Sequence, residues 1–301
     1  MKLLSLFLLS IFLICGFSIK EKHKKNDLEQ SGYCGSVKSS RMVDYLVEDK
    51  FGVLIKTIKK LDVYVLFNDK GYCIQSTDYP NEIDLYKPGL TLIHKFDDKG
   101  NMVETNSVQP DSSLRIKNIC KYDNSGNKIE AYWYNPDRSP NIKYIYKYDK
   151  NGNKIEECGY KSDSSLISKF VFIYDDKENM IEEHFIKSEG NFISKNIYKY
   201  DNNGHKTDEN FINQGGNWES KYDINGNMVE RKVYKADGSI SEKLFYKYDD
   251  KGNEIEANWL MSRNSFKYTY KFDVKGNWTQ KMTFLNGVPK ETTERTIEYF
   301  D

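Results

Sequence analysis

Tyr146-Lys147-Tyr148-Asp149-Lys150-Asn151-Gly152-Asn153-Lys154-Ile155-Glu156 is the stretch whose reading decides the fold. Tyr146 and Tyr148 alternate with Lys147, the period of a strand with one apolar and one polar face. Asp149 then suits the first position of a tight turn, where its carboxylate accepts backbone N–H groups, and Gly152 suits a left-handed backbone. Ile155-Glu156 opens the returning strand.

The same pattern recurs eight times without gaps, on Asp97, Asp123, Asp149, Asp175, Asp201, Asp223, Asp249 and Asp273. Successive spacings are 26, 26, 26, 26, 22, 26 and 24 residues, which chance does not produce. The turn glycine is present in seven copies and is Glu178 in the other. Its neighbour is Asn in seven copies and His205 in one. A second turn follows about fourteen residues after each Asp, as at Pro136-Asp137-Arg138 and Asp237-Gly238-Ser239. One period is therefore strand, turn, strand, turn. The fold class is all-β, a repetitive antiparallel β-hairpin meander.

The spacing of apolar residues sets an expected register. A four-residue loop pairs Tyr148 with Asn153 and Tyr146 with Ile155, leaving Glu156 diagonal to Lys147. The lysine side is not wholly polar, because Ile93, Ile119, Ile145, Val171, Ile197 and Phe245 lie on it four residues before an Asp. A flat sheet of sixteen to twenty strands would be about 80–95 Å wide and leave an apolar stripe wet. The array is therefore expected to be curled or spirally wound, with strand centres touching other windings of the ribbon.

Outside the array, Lys2 precedes an apolar run from Leu3 to Ile14, with Gly16 and Ser18 at its exit. Residues 1–18 read as a secretory signal peptide and imply export. Cys15 offers a second reading, a lipidated first residue, although Ile14 is bulky where such signals carry a small residue. Residues 19–40 read as a polar leader, 41–90 as degenerate N-terminal capping hairpins, and 91–301 as the array. Cys34, Cys73, Cys120 and Cys158 remain after the signal. They permit two disulfides in three pairings, or Cys120 and Cys158 fill apolar strand positions.

Lys plus Arg total 45 and Asp plus Glu total 45, so no cationic surplus exists to displace counterions from nucleic acid. Membrane association is expected only through an N-terminal lipid. The Asp-x-Asn-x-Asn run echoes a calcium loop, but Lys154 stands where the EF-hand requires Gly. No metal or cofactor is expected. Periodic carboxylates form chance pairs without a distinctive environment, and no nucleophile triad or phosphate loop occurs, so no enzymatic activity is expected. Trp133 and Trp259 occupy the same repeat position, with Tyr132 and Tyr134 flanking the first. Tyr132, Trp133 and Trp259 are candidate ligand-binding aromatics for a carbohydrate or a surface protein; the competing role is packing between windings.

The Tyr-x-Tyr-Asp-x-x-Gly-Asn motif at residues 146–153 resembles the YD repeat of Rhs-type bacterial surface proteins and toxins, over about residues 91–301. Ala236-Asp237-Gly238-Ser239-Ile240 is similar to the other half of that repeat. The Arg common after the family's Gly is Asn here in most copies. The resemblance implies a spiral β-sheet able to enclose a cargo, and adhesive or carbohydrate-binding roles in some members. The expected function is an exported, non-catalytic binding or adhesion scaffold of the cell envelope. The alternatives are a secreted glycan-active enzyme or an inactive relic of a toxin shell.

Overall fold

The computed structural model describes residues 26–80, 82 and 89–301. The expected signal peptide and Cys15 lie outside the described residues. Among the described residues, a short α-helix, α1 (Asp27–Gln30), precedes twenty strands, and a 3-10 turn (Ser188–Gly190) joins two of them. These are β1 (Val37–Lys50), β2 (Val53–Phe67), β3 (Cys73–Asp78), β4 (Leu90–Phe96), β5 (Met102–Val108), β6 (Leu114–Tyr122), β7 (Lys128–Tyr134), β8 (Pro140–Tyr148), β9 (Lys154–Lys161) and β10 (Leu166–Tyr174). Then follow β11 (Met180–Lys187), β12 (Phe192–Tyr200), β13 (Lys206–Asn213), β14 (Gly216–Tyr222), β15 (Met228–Tyr234), β16 (Ile240–Tyr248), β17 (Glu254–Trp259), β18 (Asn264–Phe272), β19 (Trp278–Leu285) and β20 (Val288–Tyr299).

Each strand pairs antiparallel with the next, and β20 pairs antiparallel with β1, placing Asp44 opposite Thr293 and Met42 opposite Arg295. The meander is thus all-β and curled, as its pattern implies, and the curl closes into a 20-stranded ring. Tracing partner residues once round and back to β1 accumulates a stagger of about 20 residues, one per strand. That tilts the strands about 37° to the axis and sets a backbone diameter of roughly 35 Å. Among the described residues, extensive strand contacts occur only between ring neighbours. The expected contact between successive windings is therefore replaced by edge-to-edge closure, because the stagger brings β20 beside β1 after a single circuit.

The register also differs from expectation. Tyr148 pairs with Lys154, Lys147 with Glu156 and Tyr146 with Glu157, and a bulge leaves Ile155 without a partner. The cause lies in the turn. Asp149 N–H donates to the Asn153 carbonyl at 2.9 Å and Gly152 N–H to the Asp149 carbonyl at 3.1 Å, so Asn153 is already the partner of Asp149. The strand begins one residue later, and the bulge then brings Glu156 directly opposite Lys147. Equivalent register shifts follow the other seven motifs.

The two faces of the ring are packed unequally. Cys120, Ala131, Phe172, Tyr198, Leu244 and Ala257, all on the tyrosine side, are buried, whereas the side chains of Lys121, Lys147 and Lys247 on the other side are 57%, 63% and 66% exposed. Phenols of alternate strands, Tyr148 with Tyr174 and Tyr174 with Tyr200, lie within electrostatic reach of one another. Side chains converge on a concave surface and diverge on a convex one, so the tyrosines line the lumen and the lysines face out.

Residues 26–36 dock on the inner wall at one rim. Asn26 caps α1, its Oδ1 accepting Glu29 N–H at 2.9 Å while Glu29 Oε2 accepts Asn26 N–H at 3.0 Å. Leu28 then packs with Val37 and Phe67, bordered by Tyr33, Val65, Ile297 and Tyr299. The region expected to hold capping hairpins supplies β1–β3, which are members of the ring, β1 making the closing contact with β20. Cys34, Cys120 and Cys158 are free thiols, Cys34 exposed and Cys120 and Cys158 buried, and Cys73 is half-buried. Cys120, opposite Ala131, faces the lumen, and Cys158, opposite Ile145, faces out.

Candidate functional site

Most repeated polar groups are engaged within the wall. In the Asp149 turn, Oδ1 accepts the N–H groups of Asn151 and Asn153, both at 2.9 Å, and Oδ2 accepts Asn153 Nδ2 at 3.0 Å. The Asp97, Asp123, Asp175, Asp223 and Asp249 turns repeat this arrangement, and His205 Nδ1 replaces the amide beside Asp201. Backbone and side-chain donation from Asn127 holds the Asp123 carboxyl below its ordinary range. The carboxylates of the calcium-like run are thus spent on closing turns. Among the described residues, no group of three or more His, Cys, Asp or Glu is placed to hold a metal ion.

On the outer face, the glutamates that follow three of the bulges sit between lysines of both neighbouring strands. Glu104 meets Lys95 at 3.0 Å and Lys117 at 2.8 Å; Glu130 meets Lys121 at 3.0 Å and Lys143 at 2.8 Å; Glu156 meets Lys147 at 2.6 Å and Lys169 at 2.5 Å. Donation from Lys117, Lys143 and Lys147 respectively is the chief cause that draws each carboxyl down to about 2. This ionic ladder spreads paired charges over the exterior between the apolar residues that share it, such as Ile93 and Ile173.

The inner face is aromatic, with scattered charges. Tyr148 is pushed up to about 12 by burial. On β9, β11 and β13, Glu157, Glu183 and Glu209 occupy one repeat position, and each has partners. Lys154 lies 2.8 Å from Glu157, Lys206 lies 2.9 Å from Glu209, and Tyr198 and Asn196 donate to Glu183 at 3.2 and 3.1 Å. That same position is Arg231 on β15 and Lys281 on β19. Arg231 lies over the Trp218 ring at 4.2 Å and Lys281 over Tyr268 at 4.1 Å. Arg295 on β20 lies 3.5 Å over Trp278 and 5.0 Å over Tyr33, and its buried Nε has no hydrogen-bond acceptor. Close by, Lys60 contacts both Asp44, at 3.8 Å, and Glu291. Burial, then the Glu291 charge, raises the Asp44 carboxyl above its ordinary value.

The candidate aromatics do not converge. Tyr132 faces out, its hydroxyl donating to Glu130 at 2.8 Å, with Lys121 and Lys143 over its ring at 5.1 and 5.2 Å. Trp133 and Trp259 face the lumen from β7 and β17, half a circuit apart. Trp259 remains 37% exposed beside Phe266, with ring centroids 5.2 Å apart. Neither packs between windings, because the ring makes a single circuit. Sequence reasoning passed over Arg231, Lys281 and Arg295. The available signal was the break in an otherwise neutral or acidic repeat position, where two basic residues appear.

A family model described as an uncharacterised protein matches residues 175–301, and one described as a protein of unknown function (DUF2963) matches residues 109–159. Neither description names a YD repeat. No curated protein matches the sequence. Among solved structures, the chain is similar to a porin-like protein from Bacteroides uniformis ATCC 8492, with a TM-score of 0.38 and 11% identity over 88% of this chain and 98% of that one. It is also similar to TcdB2-TccC3, with a TM-score of 0.32 and 10% identity over 86% of this chain and 18% of that one. The Tc holotoxin pore of Photorhabdus luminescens gives 0.28 and 10%, over 80% and 17%. The chain thus spans less than a fifth of those toxin chains. Likenesses this distant assign no role.

Proposed function

We propose that this chain is an exported, non-catalytic binding scaffold of a bacterial envelope or surface, of the YD-repeat (Rhs-type) kind. One observation carries the reading: the repeated Asp, Glu and most motif Tyr groups are committed to turns, ladders and strand-to-strand bonds, so what the ring offers to solvent is a wide, aromatic-walled lumen. Equivalent strands repeat equivalent groups round that wall, which suits multivalent holding of a ligand. Export rests on the apolar run Leu3–Ile14. The partner is a carbohydrate or a surface protein.

Incubating the mature protein with a glycan array and with surface extracts tests this reading. Retention of an unaltered ligand supports it; turnover, or retention of nothing, overturns it. Mass spectrometry of the mature N-terminus separates a lipidated Cys15 from a start at Ile19.

A glycan-active enzyme is the second reading, favoured by Asp44 and Glu291. These are non-repeated carboxylates on the lumen wall, and one of them is held protonated to higher pH than usual. Glycan cleavage that is lost in Asp44→Asn would establish it.

A further inference from the structure

We infer that the lumen wall from β15 to β20 is a binding site for an anionic polysaccharide, whose carboxylate or sulfate groups are held by Arg231, Lys281 and Arg295. This rests on the scaffold reading and adds the ligand's chemical class and its seat.

The first support is an asymmetry between charges on one surface. The lumen glutamates Glu157, Glu183 and Glu209 are each satisfied by a neighbouring donor. The three cations are not. Among the described residues, no carboxylate lies in ion-pair contact with Arg231, Lys281 or Arg295. Arg231 spends its Nε on the Ser220 hydroxyl at 2.8 Å, leaving the outer nitrogens free. Arg295 is flanked by two rings, and its Nε is buried without an acceptor. Burying a donor without an acceptor is costly, more so for a charged one, and an arriving oxyanion would offset that cost. The carboxylates that act on Lys281 are Glu254, Asp44 and Glu291, all without direct contact.

The second support is geometry. A guanidinium lying flat on an indole keeps its N–H edge pointing sideways, the orientation that forks a carboxylate or sulfate. Trp218 is already stacked on Phe211 at 5.4 Å, so its outer face is given to Arg231 and the free binding edge there is the cation. Arg231 and Arg295 are five strands apart, roughly 24 Å across the strands at the usual spacing, and are offset along the strands as well, too far for one small anion and suited to a chain carrying several. Trp259, half-exposed on β17 between them, offers an indole edge and face for a sugar ring.

The test uses the full mature chain and follows tryptophan fluorescence, since Trp218, Trp259 and Trp278 border the seat. Polygalacturonate and heparin supply carboxylated and sulfated chains, and dextran is the neutral control. The expected result is saturable binding of one or both polyanions, weakened by added salt, with dextran bound far less. Arg231→Gln and Arg295→Gln should each weaken binding about tenfold. Arg295→Lys, which keeps the charge and loses the fork, should fall between wild type and Arg295→Gln, and it serves where the glutamine variant fails to fold. Lys121→Gln on the outer face should change nothing. Polyanion binding that is unaffected in the arginine variants, or lost in Lys121→Gln, overturns the seat. Retention of only neutral glycans or of a protein overturns the ligand class and leaves the scaffold reading standing. Cleavage of the polysaccharide overturns the scaffold reading itself.

Discussion

The hydroxyl of Tyr148, the last residue of β8, donates to the carbonyl of Lys128, the first residue of β7, at 2.8 Å. Tyr122 reaches Met102, Tyr174 reaches Lys154, Tyr200 reaches Met180 and Tyr248 reaches Met228 in the same way, at 2.7–2.9 Å. Each phenol therefore ties one hairpin to the hairpin before it, inside the lumen rim. Tyr148→Phe should cost about 1 kcal/mol by urea unfolding, with the slope of the transition unchanged. Combining Tyr122→Phe with Tyr200→Phe, whose sites share no partner, should give the sum of the single effects.

Glu178 occupies the position that is Gly in the other seven motifs, and its φ of 67° lies in the left-handed region. A side chain there is strained by about 1 kcal/mol relative to Gly. Glu178→Gly should raise the thermal midpoint, while Gly152→Ala, at φ 84°, should lower it. A calorimetric scan of the two variants beside wild type reads both signs.

The outer ladder makes stability depend on acid. Glu104, Glu130 and Glu156 have folded-state values of about 2 against 4.5 for the free side chain. A depressed folded value means the stabilisation is complete above about pH 4.5 and drains away as the pH falls towards 2. Unfolding free energy should thus decline with acid across that window, and Glu156→Gln should flatten the decline. Added salt should reduce the effect, since one lysine of each triplet is largely exposed.

Thiol chemistry should follow position. Cys34 is exposed, Cys73 half-buried, and Cys120 and Cys158 buried, and burial raises the thiol pKa of the last two. An aromatic disulfide reagent should titrate Cys34 first and Cys120 and Cys158 only on unfolding. Rapid reaction of Cys120 and Cys158 in the folded chain would contradict their burial.

Much of the architecture is legible in residues 91–301. Alternation of Tyr and Lys assigns the faces, and Asp with Gly assigns the turns, because both are local properties of a few neighbouring side chains. Closure is not local. It depends on a stagger that averages one residue per strand and acquires meaning only when summed over every pair, including β1 with β20. Register failed for a related reason. The Asn153 amide looks like the first strand residue, yet its carbonyl is consumed by Asp149, and the bulge at Ile155 is the correction that restores Lys147 to Glu156. Of the candidate residues, Trp259 could be read from the repeat, but Tyr132 could not be separated from it until the faces were known. Arg295 lies in a strand that carries no motif of its own.

A hoop of alternating strands meets itself correctly only with an even number of members. A single-strand insertion would bring β1 and β20 together head to head, whereas one whole 26-residue unit fits without disturbing the seam. The bore is therefore adjustable only in fixed increments, about 3–4 Å for each hairpin gained or lost. Tandem duplication of residues 123–148 is one edit that would change its gauge and keep the join.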